Sequence, residues 1–476
     1  MGPSMRSSQL STLPRRRQAV VGAALVLAML ATLFAALPAT ANVTHDPDAP
    51  TPALTSVITG IEHTCGLAAD GTAWCWGDGS FGKLGNNANA DQTSPVAVDM
   101  TSIPGGALTT ITTGGLHTCG LAADGTAWCW GSGDSGRLGN NATTDQNAPV
   151  PVDMTSIPGN TLTTITAGGS HTCGLAADGT AWCWGYGANG RLGNNATTAQ
   201  TAPVPVDLTA IPGNTLTTIT AGGFHTCGLA ADGTAWCWGY GAFGQLGNND
   251  DGSEVAPVPV DMTAIPGNIL TTVTAGTEHT CGLAADGTAW CWGNGNLGQL
   301  GNITTISQSP VAVDMTPIPG NTLTTITAGG FHTCGLAADG TAWCWGYGAN
   351  GRLGNNATTN HNAPVPVDTT STPGGTLTTI TAGYAQTCGL AADGTAWCWG
   401  AGGSGRLGNN ATTNQTAPVP VDMTDIPGST FTTITTGYEH TCGLAADGTA
   451  WCWGAGGSGR LGNNATTNQT LSLIHI

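Results

Sequence analysis

The chain has 476 residues and carries 28 acidic against 10 basic side chains, a formal net charge of −18 at neutral pH. Such an acidic surface repels phosphate backbones and anionic headgroups, so nucleic acid is not expected as a partner. A hydrophobic content of 40%, in short β-branched runs without a helical period, excludes a disordered chain and argues against long helices.

The first 41 residues are predicted to be an export signal. Three arginines at 15–17 precede an apolar run that ends in the small-residue triplet Ala39-Thr40-Ala41, an arrangement typical of a cleaved signal peptide. An uncleaved membrane anchor is the alternative, because the run is long enough to span a bilayer, and only then is a membrane a partner. We therefore expect a secreted or cell-surface protein, with residues 42–53 as a short linker. Removing the signal takes away four arginines and no acid, which leaves a net charge of −22.

Residues 54–470 consist of eight tandem repeats of about 54 residues, the last incomplete. In the repeat at 161–214, TLTTIT predicts a first strand, and HTCGL and TAWCWG predict two strands around the turn AADG. PVPVD then predicts a short edge strand limited by its prolines. Four short strands per repeat are typical of a β-propeller with one blade per repeat. The predicted fold is therefore all-β, with a solenoid as the alternative.

Every repeat holds two cysteines ten positions apart, on either side of the AADG turn. Gly71 suits the left-handed position of a three-residue hairpin loop that closes between Ala68 and Thr72. Counting outward from that closing pair, Cys65 faces Cys75 at a non-hydrogen-bonded site, where Cα atoms lie about 4.5 Å apart and a disulfide can form. We predict one disulfide in each hairpin, as the oxidising environment of an exported chain allows. The predicted pairs are Cys65–Cys75, Cys119–Cys129, Cys173–Cys183, Cys227–Cys237, Cys281–Cys291, Cys334–Cys344, Cys388–Cys398 and Cys442–Cys452.

The histidine and the tryptophans of each repeat admit a structural and a functional interpretation. Zinc is the alternative to a disulfide, because His63 lies two residues before Cys65 and on the same face. The nine-residue gap between the cysteines is unlike the short gaps of zinc sites, so neither a metal nor a cofactor is expected. Trp74 and Trp76 point to the opposite face and are predicted to pack between blades. A ligand-stacking or light-absorbing role is their alternative.

The order GG-x-H-T-x-x-L-x-x-D-G-x-x-W-x-W-G, followed by G-x-L-G-N, resembles the regulator of chromosome condensation repeat. The resemblance covers residues 54 to about 464. It implies a seven-bladed propeller, and it implies an exchange factor for a small GTPase as one possible activity, which the export signal argues against. The cysteine pair departs from the common pattern of the family, as an exported branch would. The family's framework positions fall on His63, Leu67, Asp70, Gly71, Trp76, Gly77, Gly82, Leu84 and Gly85.

The repeats are identical in one stretch and differ in others. AADGTAWCWG is identical in all eight copies, whereas the residues just before HTC and just after WCWG differ. Both stretches lie at the hairpin end away from the turn, so we expect them to share one edge of the propeller, named here the variable rim. Its aromatic residues are typical of a recognition surface, with drift at loop positions as the alternative. The aromatic residues of the variable rim are Phe81, Tyr186, Phe224, Tyr240, Phe243, Phe331, Tyr347, Tyr384 and Tyr438.

The replicated side chains favour a binding protein over an enzyme. An enzyme needs a unique nucleophile, paired carboxylates or a convergent cluster, whereas the His, Asp and Cys of this chain recur in nearly every repeat. We predict no catalytic residues, and an unknown protein or glycan partner at the variable rim. A secreted hydrolase or lyase acting on polysaccharide is the alternative, and an exchange-type regulator is the second.

The last repeat departs from the pattern after Thr470. Its register calls for Ala-Pro-Val-Pro-Val-Asp, but residues 471–476 read LSLIHI. We expect this non-repeat tail to be translated adapter or misassembled sequence, and the native gene to continue with PVPVD-like sequence. Eight hairpins with seven PVPVD-type strands allow seven blades with a leftover hairpin, or eight blades with one incomplete. The family resemblance favours seven.

Overall fold

The computed structural model describes residues 52–470. The predicted export signal, nearly all of the linker and the non-repeat tail lie outside the described residues. None of the helices in residues 52–470 has the length and apolar character that crossing a bilayer requires. The strands, in chain order, are β1 (Leu54–Thr59), β2 (His63–Ala68), β3 (Ala73–Gly77), β4 (Gln92–Ala97), β5 (Leu108–Thr113), β6 (His117–Ala122), β7 (Ala127–Gly131), β8 (Gln146–Pro151), β9 (Thr164–Ala167), β10 (His171–Leu175), β11 (Ala181–Gly185), β12 (Gln200–Pro205), β13 (Thr218–Ala221), β14 (His225–Leu229), β15 (Ala235–Gly239), β16 (Glu254–Pro259), β17 (Leu270–Ala275), β18 (His279–Ala284), β19 (Ala289–Asn294), β20 (Ile306–Ala312), β21 (Leu323–Ala328), β22 (His332–Ala337), β23 (Ala342–Gly346), β24 (His361–Pro366), β25 (Thr379–Ala382), β26 (Gln386–Leu390), β27 (Ala396–Gly400), β28 (Gln415–Pro420), β29 (Phe431–Thr436), β30 (His440–Ala445) and β31 (Ala450–Gly454).

Short 3₁₀ helices connect the strands in the described part of the chain. One kind follows the third strand of a blade, and the other, which begins with proline, precedes the next blade. The 3₁₀ helices are Ser80–Gly82, Pro104–Gly106, Asp134–Gly136, Pro158–Asn160, Ala188–Gly190, Pro212–Asn214, Pro266–Asn268, Pro319–Asn321, Ala349–Gly351, Pro373–Gly375, Gly403–Gly405, Pro427–Ser429 and Gly457–Gly459.

The strands form eight antiparallel sheets, each made of consecutive strands from one repeat. Seven sheets have four strands, and the eighth has three, β29 to β31, with a single bridge from Gly454 to Gln469. The first strands of all eight repeats end around one central cavity, so they are the innermost. The protein is therefore an eight-bladed β-propeller.

The expectation of seven blades is wrong. The eighth blade takes its place in the ring with only three strands, because its hairpin packs in buried clusters with the seventh blade on one side and with the first blade on the other. The ring closes where Leu54 N donates to Gly448 O at 2.6 Å and Asn464 N donates to Thr93 O at 2.6 Å. Each blade is a separate sheet, so closure needs no strand shared between the first and last blades.

The predicted hairpin register is confirmed in every blade. Cys65 faces Cys75, and Gly66 faces Trp74. The loop closes where Ala68 N donates to Thr72 O at 2.9 Å, and Gly71 has the left-handed φ of 82° that the turn requires. All sixteen cysteines form the eight predicted within-hairpin disulfides, with Cα atoms 4.1–4.2 Å apart. No thiolate is thus left to bind zinc.

The core lies between blades, as the tryptophans predict. Cys65 and Cys75 of the first blade pack in one buried cluster with Trp128 and Trp130 of the second. The same arrangement recurs around the ring, with the cysteine face of one blade against the tryptophan face of the next. The outer strand differs from its prediction in its bounds. In the third blade it runs from Gln200 to Pro205, so it begins three residues before PVPVD.

A hydrogen-bond relay ties each blade to the next beneath the variable rim. His63 Nε2 lies 2.9 Å from Thr118 Oγ1 of the second blade, and that hydroxyl donates to Lys83 O of the first at 3.0 Å. Because the threonine hydrogen is used on the carbonyl, the imidazole Nε2 must be the donor in the first bond. Seven such relays run around the ring, including His440 to Thr64 across the closure.

The seventh blade replaces the histidine of the relay with Gln386. Its amide nitrogen donates instead to Gly437 O at 3.1 Å.

The relay histidines are fully buried, and desolvation lowers the pKa of His63, for example, to about 3. They are neutral framework residues, and no group of three or more His, Cys, Asp or Glu within residues 52–470 is placed to hold a metal ion.

Candidate recognition rim

The variable rim is assembled by one backbone hydrogen bond per blade. The amide of the residue after WCWG donates to the carbonyl of the residue before HTC, as from Tyr240 to Phe224 at 3.1 Å and from Tyr347 to Phe331 at 3.0 Å. This bond continues the hairpin ladder one step beyond the pairing of histidine with glycine. The two variable stretches therefore lie side by side at one edge.

Blades three and four hold the first aromatic cluster of the rim. Phe224 and Tyr240 meet edge to face with ring centroids 6.1 Å apart, and Tyr240 meets Phe243 at 6.2 Å. The Arg191 guanidinium lies over Tyr186 at 4.8 Å and near Phe224 at 5.8 Å. Tyr186 and Phe224 are 41% and 42% exposed, so the cluster presents aromatic faces to solvent.

Blades six to eight hold the second cluster. Phe331 contacts Tyr347 at 6.4 Å and Tyr384 at 5.4 Å, and Tyr384 packs on Tyr438 with centroids 4.1 Å apart. The Arg352 guanidinium lies over the Tyr347 ring at 4.5 Å. The structure thus gathers eight of the nine rim aromatics predicted from sequence into two clusters, each joined by an arginine.

Phe81 of the first blade stands apart from both clusters. Within residues 52–470 no other aromatic ring packs on it, and its side chain is 41% exposed. Its φ of 64° lies in the left-handed region, which is unfavourable for a bulky side chain. Ile61, which takes the slot of Tyr384 and Tyr438 in this blade, is 44% exposed. Ile61 is not among the residues predicted for the variable rim, which are all aromatic.

The central cavity opens within the variable rim. It has a volume of about 360 Å³ and is lined by the ends of the first strands from all eight blades. Most lining residues are small, such as Gly168 and Gly222, while Tyr384 and Tyr438 supply the bulk on one side. The second aromatic cluster therefore borders both the rim and the mouth of this cavity.

Sequence reasoning also missed the role of the residue before the Leu-Gly pair, named here the basic slot. In six blades this residue is a lysine or an arginine, whose charged side chain lies beneath the rim. The residue is at least 90% buried in all eight blades. The signal in the sequence was that this slot holds Lys or Arg in six repeats and Gln in the other two. The slot is filled by Lys83, Arg137, Arg191, Gln245, Gln299, Arg352, Arg406 and Arg460.

Four of the basic-slot cations face a carboxylate within 4 Å. Lys83 Nζ lies 2.6 Å from Asp78 Oδ2, and Arg137 Nη2 lies 3.4 Å from Asp134 Oδ2 within its own blade. The last two arginines reach across to the next blade, where Arg406 Nη2 lies 3.5 Å from Glu439 Oε1. In the same way Arg460 Nη2 lies 3.8 Å from Glu62 Oε1.

The opposite edge of the propeller carries the AADG turns. Asp232 Oδ1 accepts hydrogen bonds from Thr234 N at 2.9 Å and Thr234 Oγ1 at 2.7 Å, and these bonds lower the pKa of Asp232. Thr234 Oγ1 in turn accepts from Trp236 Nε1 at 3.0 Å. The exposed aspartates are therefore turn formers.

Comparison with known proteins agrees with this architecture. The model of the RCC1-like domain matches residues 208–475. Two models of the regulator of chromosome condensation (RCC1) repeat match residues 70–121, 124–175 and 178–229, and residues 55–83, 109–137 and 163–191. The chain belongs to the RCC1 repeat family.

Relatives within the RCC1 repeat family are distant in sequence. The ultraviolet-B receptor UVR8 of Arabidopsis thaliana is 27% identical over 380 residues, which are 80% of this chain and 84% of the receptor. The E3 ubiquitin-protein ligase HERC2 of Homo sapiens is 27% identical over 305 residues, 63% of this chain but only 6% of the ligase.

Solved structures of other proteins share the fold. Human WBSCR16 superposes with a TM-score of 0.62 at 20% identity, covering 79% of this chain and 98% of that protein. Yeast RCC1 (Prp20), in a structure bound to Kap60, superposes with a TM-score of 0.60 at 18% identity, covering 84% of this chain and 93% of that protein.

Proposed function

We propose that this RCC1-type propeller is an extracellular binding protein that captures a protein partner on its variable rim. One observation carries the proposal: eight exposed or half-buried aromatic side chains form two clusters on one edge, each with a buried arginine beneath it, above a core that is nearly the same in every blade. Aromatic residues and arginine are the side chains that most often dominate binding energy at protein interfaces.

Solved relatives support a protein as the partner. Yeast RCC1 (Prp20) has been crystallised bound to Kap60, and a study of Prp20p describes its binding to Gsp1p and histones. At 18–20% identity these structures show the fold alone, so their partners do not identify the partner of this chain. They support the use of RCC1-type propellers as docking platforms for proteins.

The disulfides support an extracellular location. Eight bridges, one per blade, persist only where thiols are not kept reduced. The predicted export signal agrees with this. A polysaccharide hydrolase or lyase lacks support, since the buried histidines are neutral and the turn aspartates are engaged by threonines.

The partner can be sought with the oxidised protein itself. Immobilised protein would be incubated with the native secretome, and retained proteins identified by mass spectrometry. We expect Tyr240→Ala with Phe243→Ala to lose most of the retained partner, because both rings belong to the first cluster. Asp232→Ala, at the opposite edge, is the matched control and should retain it. Equal loss in both variants, or capture of a glycan alone, would contradict the proposal.

A further inference from the structure

Two of the six basic-slot cations have no carboxylate partner among the described residues. Arg191 and Arg352 are only 4% and 3% exposed, and each lies over a tyrosine ring, at the position that holds Asp78 beside Lys83. A buried guanidinium without a counter-charge is costly. Burial lowers the pKa of both arginines, as it lowers the pKa of Arg137 and Arg406.

The eighth blade shows what is missing beside Arg352. Arg352 Nη1 donates to Tyr384 O at 3.0 Å, and in the next blade Arg406 Nη1 donates to Tyr438 O at 3.4 Å. The residue after Tyr438 is Glu439, which pairs with Arg406, whereas the residue after Tyr384 is Ala385. Ala385 therefore occupies the position from which a carboxylate neutralises the equivalent arginine.

Arg191 is a second copy of the same site. Residues 181–198 and 342–359 have an identical sequence, AWCWGYGANGRLGNNATT, so Tyr186 and Tyr347 take the same place under their arginines. The next blade presents Phe224 to Arg191 instead of a glutamate. The only hydrogen bond of the Arg191 guanidinium in the described chain runs from Nε to Ala188 O at 3.1 Å.

The terminal nitrogens of both arginines can be reached from the rim. Among the described residues, several fully buried side-chain atoms have no hydrogen-bond partner, but no nitrogen of Arg191 or Arg352 is one of them. The unpaired terminal nitrogens therefore keep contact with solvent, between aromatic rings that are themselves exposed or half-buried. A carboxylate that arrives there would gain a charge-assisted bond and a counter-charge for a cation that is already desolvated.

We propose that the partner inserts aspartate or glutamate side chains at Arg352 and Arg191, completing the ion pairs that Glu439 and Glu62 complete inside the ring. The proposal rests on the binding function of the rim. The strongly negative chain repels a polyanion at long range. The matching partner is therefore a protein segment with isolated carboxylates among apolar residues that pack on the aromatic clusters.

The first test supplies the carboxylate from within. Ala385→Glu copies the arrangement of Arg406 and should raise the melting temperature in the wild-type chain but not in an Arg352→Gln background. An equal change in both backgrounds would show that no carboxylate is accepted at Arg352 and would overturn the proposal for this site.

The second test uses an array of short synthetic peptides, each with one Asp or Glu among aromatic and aliphatic residues, and each with an Asn or Gln twin. We expect the oxidised protein to bind acidic peptides at least tenfold better than their twins. Arg191→Gln with Arg352→Gln should lose this preference, while Arg137→Gln, in which the arginine already has a carboxylate, should keep it.

The outcomes separate this proposal from the broader one. Binding that is equal for acidic and amide peptides but lost in Tyr240→Ala with Phe243→Ala would overturn the carboxylate proposal and leave the rim as the binding surface. Binding that is insensitive to every rim substitution would overturn both. An oligogalacturonate probe is included, and binding of this acidic glycan in place of the peptides would overturn a protein partner.

Discussion

At the turn end of every hairpin the same four residues make the same bonds, whereas at the rim end most neighbouring blades present different side chains. Asp232 and its seven equivalents close identical turns, but the slot before the histidine alone holds Glu, Leu, Ser, Phe or Ala. Stability and recognition are therefore separated along each strand pair. Substitutions in the framework should cost stability, and substitutions at the rim should cost binding.

Acidification should have the largest effect on stability, because it acts on seven buried histidines together. Their pKa values are about 3, or about 4 for His279, against an ordinary value of 6.5. The unfolded chain therefore binds more protons between these values, so stability is fully present above about pH 6.5 and is lost as the pH falls toward 3. At pH 5 each histidine should lower the free energy of unfolding by on the order of 1–2 kcal/mol relative to neutral pH.

Thermal unfolding between pH 7 and pH 4 measures this effect. His332→Gln copies the natural glutamine of the seventh blade. Because glutamine does not titrate, the melting temperature of this variant should fall less between pH 7 and pH 4, by the share of one histidine. A melting temperature that does not change over this range would show that the histidines are not the acid-sensitive part of the framework.

Removing one disulfide should have the next largest effect. Cys227→Ala with Cys237→Ala opens a loop of about ten residues and should lower the free energy of unfolding by about 2.5–3 kcal/mol in the chain-entropy model. Denaturant unfolding under oxidising conditions measures the change, and mass spectrometry of the non-reduced protein checks the seven remaining bridges. Loss of partner binding without loss of stability would break the separation between framework and rim.

A turn substitution should cost less. Asp232→Ala removes two hydrogen bonds to Thr234, but the carboxylate is exposed, so the free energy of unfolding should fall by no more than about 1 kcal/mol. Partner binding should not change. A loss comparable with that of the disulfide variant would mean that the turn does more than close its own hairpin.

The smallest effect on stability is expected at the rim itself. Tyr384→Ala with Tyr438→Ala removes a pair of packed rings at the cavity mouth, and the melting temperature should stay within about 2 °C because neither ring belongs to the interblade core. Affinity for the captured partner should fall at least tenfold. Unfolding of this variant at a markedly lower temperature would assign the pair to the framework instead.

The hairpin was predictable residue by residue, whereas the ring was not. Gly71 and the closing pair fix the register locally, so the disulfide and the facing of Gly66 with Trp74 followed from counting. The number of blades depends on the angle at which the tryptophan face of one blade packs on the cysteine face of the next, which no local pattern encodes.

The ion pairs that the basic slot makes between blades were not predictable for a similar reason. Arg406 and Glu439 are 33 positions apart and meet only because neighbouring blades pack together. The aromatic rim could be located because every hairpin has its AADG turn at one end and its variable residues at the other. Its division into two clusters depends on which blades are neighbours in the ring and on the side chains that their arginines reach.

The relay from histidine to threonine to carbonyl treats almost every junction between blades alike, including the one that joins the two ends of the described chain. A ring with such uniform joints has no privileged starting point. A gene rearrangement that exchanges, inserts or reorders whole repeats would keep the interior contacts and change only the order of side chains around the edge. Specificity in this architecture can therefore evolve by shuffling modules, without a matching change in the parts that keep them together.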